Sequence, residues 1–129
     1  MTINGTMGFA APLYNFSSAQ AQAYQNPSNT TNTAMRDLTG GLFGMWGGNG
    51  NGDTQVRATG PLASNDYGFL ITSTLGGNVA TIISNVYHRA DLNMDGQVRA
   101  TGPLASNDYG FLITSTLGGN VATIITQHQ

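Results

Sequence analysis

The chain has no cysteine, no lysine and no glutamate among its 129 residues. Without thiols there are no disulfide staples, no thiolate metal sites and no cysteine nucleophile. All six acids are aspartate and all four bases are arginine. Charged residues make up only 8% of the chain, against roughly 25% in an ordinary soluble domain. So sparse an inventory suits a surface that is covered by neighbours, or one wetted by Asn, Ser, Thr and Gly. The net charge of -2 offers no electrostatic footprint for nucleic acid. No run of about 18 apolar residues occurs, so no membrane insertion is expected. The first residues lack the basic stretch and apolar core of a signal peptide, which places any export signal in a precursor.

What the chain does have is repetition. Residues 55–83 recur unchanged at 97–125, and the match reaches back through Asp53/Asp95 and Asn51/Asn93. Such a copy means two equivalent units, about 46–87 and 88–129, each too small to close a core alone. They are expected to pack face to face around a pseudo-twofold axis. In each unit Ser64-Asn65-Asp66, or its copy, supplies helix N-cap residues, and the aspartate sits where a helix dipole favours negative charge. Tyr67, Leu70, Ile71 and Leu75 follow at helical spacing, as do Tyr109, Leu112, Ile113 and Leu117, and Gly76-Gly77 forms a stop. Asn78 is then expected to cap a second short helix carrying Val79, Ile82, Ile83 and Val86, with Val121, Ile124 and Ile125 as the counterparts. Gly68 and Gly110 weaken their helices by about 1 kcal/mol relative to alanine, which a close helix–helix approach would explain.

Residues 1–45 read as an extended N-terminal arm. Thr2–Asn4 and Leu13–Phe16 are short extended segments bounded by glycine and proline. Residues 17–34 are too polar to hold a core and read as loop. Leu38–Trp46 is an apolar, glycine-spaced segment suited to lying across the repeats. Ile3, Met7, Phe9, Leu13, Tyr14 and Phe16 put too much apolar surface in the arm to leave in water. This makes self-association through the arm an expectation.

The chemistry concentrates in one loop. Asp91-Leu92-Asn93-Met94-Asp95-Gly96-Gln97-Val98 matches the opening of an EF-hand-type loop, D-x-N-x-D-G. Calcium takes six to eight hard oxygen ligands, and alternate positions of a tight loop converge on one ion. Asp91, Asn93 and Asp95 would give side-chain oxygens and Gln97 a main-chain carbonyl. Gly96 allows the sharp turn, and Val98 is expected to pair with Val56 of the other loop. Gly102 stands where an acid would close the loop. Arg99–Asn107 therefore reads as an insertion, with Asp108 as the closing ligand. The first unit offers Asn49, Asn51, Asp53, Gln55 and Asp66 in the same plan, with Thr54 in place of the glycine. Only Asp37, of all the acids, lies outside the two loops. The alternative is a polar turn that holds no ion.

These loops and their duplication resemble dockerin modules, over about residues 46–129. The pattern MWGGNGNGD…VRATGP…NDY…LGGN…DLNMDGQVRATGP is similar to the C-terminal dockerin-like regions of large modular bacterial surface proteins. The resemblance implies an extracellular or cell-surface setting and a cohesin-like protein partner. It departs from the family in the RATGPLAS insertion and the displaced closing acid.

Other readings are bland. His88 and His128 have no second histidine or cysteine at ligand spacing and read as solvated. The aspartates are absorbed by calcium, which leaves no orienting acid for a hydrolytic nucleophile, so no enzyme is expected. Trp46, Tyr67 and Tyr109 read as core packing, with a sugar-stacking platform as the alternative. Three N-x-S/T triplets, at Asn4, Asn15 and Asn29, are of the kind that arises by chance in such a sequence. The expected fold is mainly α with short β segments. Its expected function is that of a calcium-binding structural or assembly module, a filament subunit as one form, or alternatively a docking module.

Overall fold

The computed structural model describes residues 15–128. Among these, Gly47–Gln127 form one compact unit, and the residues up to Trp46 form another together with His128. The segment 1–14, with most of the arm's apolar residues, lies outside the described residues.

The smaller unit is a polar meander closed by one hairpin. Strand β1 (Met35–Asp37) pairs antiparallel with β2 (Phe43–Met45), Arg36 opposite Gly44. The turn between them needs three successive residues with positive φ, Thr39, Gly40 and Gly41, a demand that the two glycines meet without a Cβ penalty. Before it lies a single 3-10 turn, Gln20–Gln22. His128 joins this unit through both ring nitrogens: Asn26 N–H donates to Nδ1 at 2.8 Å, and Nε2 lies 2.9 Å from the Asn32 carbonyl. A solvated His128 was the expectation, and the two bonds correct it. Trp46 belongs here too, its indole N–H bonded to the Thr33 carbonyl at 2.8 Å.

The larger unit contains both repeats, and it overturns the expectation of a mainly α fold. Each repeat holds one three-residue turn of α-helix, α1 (Asp66–Gly68) and α2 (Asp108–Gly110), that widens into six residues of π-helix, Phe69–Thr74 and Phe111–Thr116. The widening shows in the Leu75 N–H, which bonds Leu70 O five residues back, and in Leu117 on Leu112. Ile71, Thr72 and Thr74 are β-branched and weak α formers. Thr114 also donates its hydroxyl to the Gly110 carbonyl at 2.7 Å, a back-bond that loosens α geometry.

The expected second helices are strands. Asn78 does cap a turn, its side chain accepting the Ala80 N–H, but the chain then extends into β4 (Ile82–Ser84) and, in the copy, β6 (Ile124–Thr126). Two β-branched isoleucines in succession favour the extended form. The apolar positions 79, 82, 83 and 86 had matched helical spacing as well. The expected Val56–Val98 pairing does not form either. β3 (Gln55–Arg57) pairs with β6, Val56 opposite Ile125, while β5 (Gln97–Arg99) pairs with β4, Val98 opposite Ile83. Each strand that opens one repeat thus pairs with the strand that closes the other.

Two small cores follow from this exchange. In one, Leu70, Ile71 and Leu75 of the first repeat pack with Ala90 and Val98 of the second. In the other, Val56 of the first repeat meets Leu112 and Thr116 of the second around Gly48, where an added Cβ would lie 3.2–3.3 Å from all three side chains. Leu70, Leu112, Val56 and Val98 are fully buried, each contributing about 1.5–3 kcal/mol relative to exposure. Against the first of these cores the Tyr67 and Tyr109 rings pack at 4.7 Å from each other, tilted by 48°.

The glycines Gly68 and Gly110 answer to a different neighbour from the one expected. A Cβ on Gly68 would run into the carbonyl group of Leu62, and one on Gly110 into that of Leu104. These carbonyls belong to 3-10 turns, Leu62–Ser64 and Leu104–Ser106, inside the RATGPLAS segments. The glycines therefore admit the inserted loop, not a second helix.

Candidate metal centre

Each acid loop is built from side chains that cap its own main chain. In the second repeat Asp91 accepts from the Asp95 N–H (Oδ1, 3.0 Å) and the Gly96 N–H (Oδ2, 2.9 Å). Asn93 Oδ1 accepts from that same Asp95 N–H at 3.1 Å, and Asp95 Oδ1 from the Gln97 N–H at 2.9 Å. A single N–H shared between Asp91 Oδ1 and Asn93 Oδ1 requires the two oxygens to converge. Asp95 is drawn in by the Asn93 amide, 3.2 Å from its Oδ2. Gly96 takes φ +81 and Met94 φ +60, the left-handed turns that let alternate residues face one side.

Asp108 reaches this loop from the start of α2. Its Oδ1 accepts from Leu92 N–H at 2.7 Å and Asn93 N–H at 3.4 Å, and its Oδ2 from Arg99 N–H at 2.8 Å. The carboxylate thus ties the loop's opening to the strand that follows, across the insertion. It is fully buried. Burial pushes its carboxyl above the ordinary aspartate range, the three N–H donors pull it partly back, and the nearby Asp91 charge pushes it further up.

The first repeat shares the frame but not the donors. Asp66, also buried, accepts from Asn51 N–H at 3.2 Å and Arg57 N–H at 2.8 Å. Burial again leads in raising its carboxyl. Asn51 Oδ1 accepts from Asp53 N–H and Asp53 Oδ1 from Gln55 N–H. Asn49 differs from Asp91: its oxygen accepts from Gly52 N–H, and its amide donates to the Asp53 carbonyl at 2.6 Å. A neutral donor therefore fills, within the first loop, part of the role a cation would have.

Each loop has an arginine beside its third donor. Arg99 lies 3.3 Å from Asp95 Oδ2, and Arg57 lies 3.6 Å from Asp53 Oδ2. Arg57 also donates from Nε and from Nη2 to the Ser64 carbonyl, at 3.0 and 2.6 Å. The Nε of Arg99 is buried and has no partner among the described residues.

Sequence reasoning treated Asn65 and Asn107 only as helix caps, and they do more. Asn107 accepts from Gly110 N–H at 2.7 Å and donates to the carbonyls of Gly102 and Pro103 at 3.1 and 2.9 Å. Asn65 makes the same three bonds. Each asparagine fastens the inserted loop to the helix that presents the buried aspartate. His88 is exposed; its Nδ1 accepts from Ala90 N–H, and its ring stacks on Phe69 at 6.3 Å.

Among the described residues no three of His, Cys, Asp or Glu cluster as a metal-holding group. A calcium site does not require one, because amide and main-chain carbonyl oxygens serve it as well as carboxylates. The donor set on the second loop is all oxygen and fits a hard cation. Compared with known proteins, the chain matches no family model, no curated protein and no solved structure.

Proposed function

We propose that the chain is a non-catalytic, calcium-binding structural and assembly module of an extracellular protein, with copies joined as in a filament. The observation that carries the calcium part is the Asp95 N–H shared by Asp91 and Asn93, which brings two ligand oxygens together before any ion is considered. Asp91, Asn93, Asp95, the Gln97 carbonyl and Asp108 would hold the ion in the second loop, and Asn49, Asn51, Asp53, the Gln55 carbonyl and Asp66 in the first. Calcium would supply the positive charge that lets neighbouring carboxylates stay ionised. A structural role is favoured over cohesin-type docking because the outward helix positions, Thr72 and Ser73, are polar and exposed. The test is isothermal titration of the full chain with calcium, with magnesium as control. Saturable binding should be lost at the second site in Asp95→Ala, and unchanged stoichiometry and affinity in that variant would sink the assignment. Assembly is tested by light scattering across calcium concentrations, where a chain that never associates ends the filament reading.

A further inference from the structure

The bonds of the repeat domain divide into two kinds. Those of the buried aspartates stay within a repeat: Asp66 with Asn51 and Arg57, Asp108 with Leu92, Asn93 and Arg99. The sheets and cores, by contrast, join one repeat to the other: β3 with β6, β4 with β5, Leu70 and Ile71 with Val98, Leu112 with Val56. Neither repeat has a core of its own. Each is the other's partner, and one short linker joins them.

The partner surfaces are also duplicates. The strand sequence Gln-Val-Arg opens both repeats, and Thr-Ile-Ile precedes the end of both. A strand such as β3 has no chemical means of telling the β6 of its own chain from that of another. What favours the internal pairing is the linker, Asn85–Arg89, which keeps the repeats at an effective concentration on the order of mM. Tyr87, His88 and Arg89 of that linker are exposed, with Tyr87 wholly in solvent, and Asn85 takes a left-handed turn at φ +59. Opening the turn gives up the Val86 packing on the Leu70 core, the Val86 N–H bond to the Gly96 carbonyl and the contacts of His88 and Arg89 with the Phe69 ring, which makes exchange an event of refolding, not of the folded chain.

We propose that the repeat–repeat interface is also the interface between copies: the first repeat of one chain pairs with the second repeat of another, through β3–β6 and β4–β5 contacts identical to the internal ones. The occupant is a second copy of this chain. Reciprocal exchange closes a dimer, and one-way exchange propagates head to tail. This names the contact for the assembly part of the reading above, and it requires neither calcium nor the segment 1–16.

The absence of cysteine makes the test direct. Gln55 and Thr126 stand opposite each other across β3 and β6, a placement suited to a disulfide. Full-length Gln55→Cys and Thr126→Cys chains are unfolded together, refolded over a range of concentrations with and without calcium, and oxidised. The expected result is a mixed disulfide dimer that grows with protein concentration and is absent when the two are refolded separately and then mixed briefly. The double variant controls for geometry by forming the internal bond. The proposal is overturned if the single variants give no mixed dimer at any concentration while the double variant oxidises internally. Because the disulfide reports strand pairing alone, its appearance without calcium separates this inference from the calcium reading. Light scattering that vanishes on deleting residues 1–16, with no mixed disulfide formed, would assign assembly to the arm instead.

Discussion

Replacing Gly68 with alanine sets two effects against each other whose sizes the structure decides. Helix propensity alone favours the change by about 1 kcal/mol. Against it, the new methyl would overlap the Leu62 carbonyl group, which is main chain and cannot rotate aside. The 3-10 turn must retreat, and with it go the Asn65 amide bonds to Gly60 and Pro61 and the Arg57 fork on Ser64. Overpacking of this kind costs about 1–3 kcal/mol, and each hydrogen bond lost adds about 1 kcal/mol. The four bonds and the overlap, less the propensity gain, give a net expected loss of about 4–6 kcal/mol. Gly110→Ala, against Leu104, puts only the two Asn107 amide bonds at stake, since Arg99 makes no such fork, and should cost about 2–4 kcal/mol. Gly76→Ala is the control: it meets open space at φ +66 and should lose only about 1–2 kcal/mol. Urea unfolding measures all three, and trypsin provides a second readout, since a loosened insertion exposes Arg57 to cleavage. If Gly68→Ala is as stable as the parent, propensity has won and the close approach is not what the glycine serves.

The remaining expectations concern the aspartates. Burial raises the carboxyls of Asp66 and Asp108, so the calcium-free native state holds protons more tightly than the unfolded chain. Their stabilising contribution is complete below the ordinary value of 3.8 and is lost as pH rises through the raised native values. Denaturant midpoints in chelator should therefore climb on acidification from neutrality, and Asp108→Asn should flatten that climb; a midpoint independent of pH would refute it. With calcium present, chelation should lower Tm well beyond a magnesium control. The first loop, with two carboxylates and the Asn49 amide turned donor, should empty before the second, which titration at limiting calcium will show. Arg99→Ala removes a cation 3.3 Å from Asp95 and should tighten calcium binding up to about fivefold, within the range of a partly exposed ion pair; weaker binding would mean that Arg99 organises the loop instead of competing with the ion.

Much of the larger unit was legible because the sequence prints it twice. The helix start at Asp66 and Asp108, the asparagine caps, and the reach of each aspartate back to its own loop across the insertion follow from residue type and spacing. The strand partners were not legible, and for a definite reason: with Gln-Val-Arg and Ile-Ile each present twice, pattern alone cannot assign which pairs with which. The choice between helix and strand at Ile82-Ile83 failed because their spacing fits both, and the deciding contact, Val98 or Val56, is far off in sequence. The role of Gly68 was hidden in the same way, since its neighbour Leu62 belongs to a segment that reads as mere insertion.

The exchange of strands also sets an order of events during synthesis. The buried core of Leu70, Ile71, Leu75, Ala90 and Val98 is complete once Val98 has left the ribosome, and of the side chains packed against it only Ala100 and Tyr109 come later. Val56 has no such luck. Its partners Leu112 and Ile125 follow it by a delay of roughly 3–14 s at ordinary translation rates. For that interval a three-residue edge and an apolar side chain wait in solvent, on a polysome where neighbouring nascent chains carry the same waiting edge. One half of the domain is therefore made as it emerges, and the other half only in retrospect.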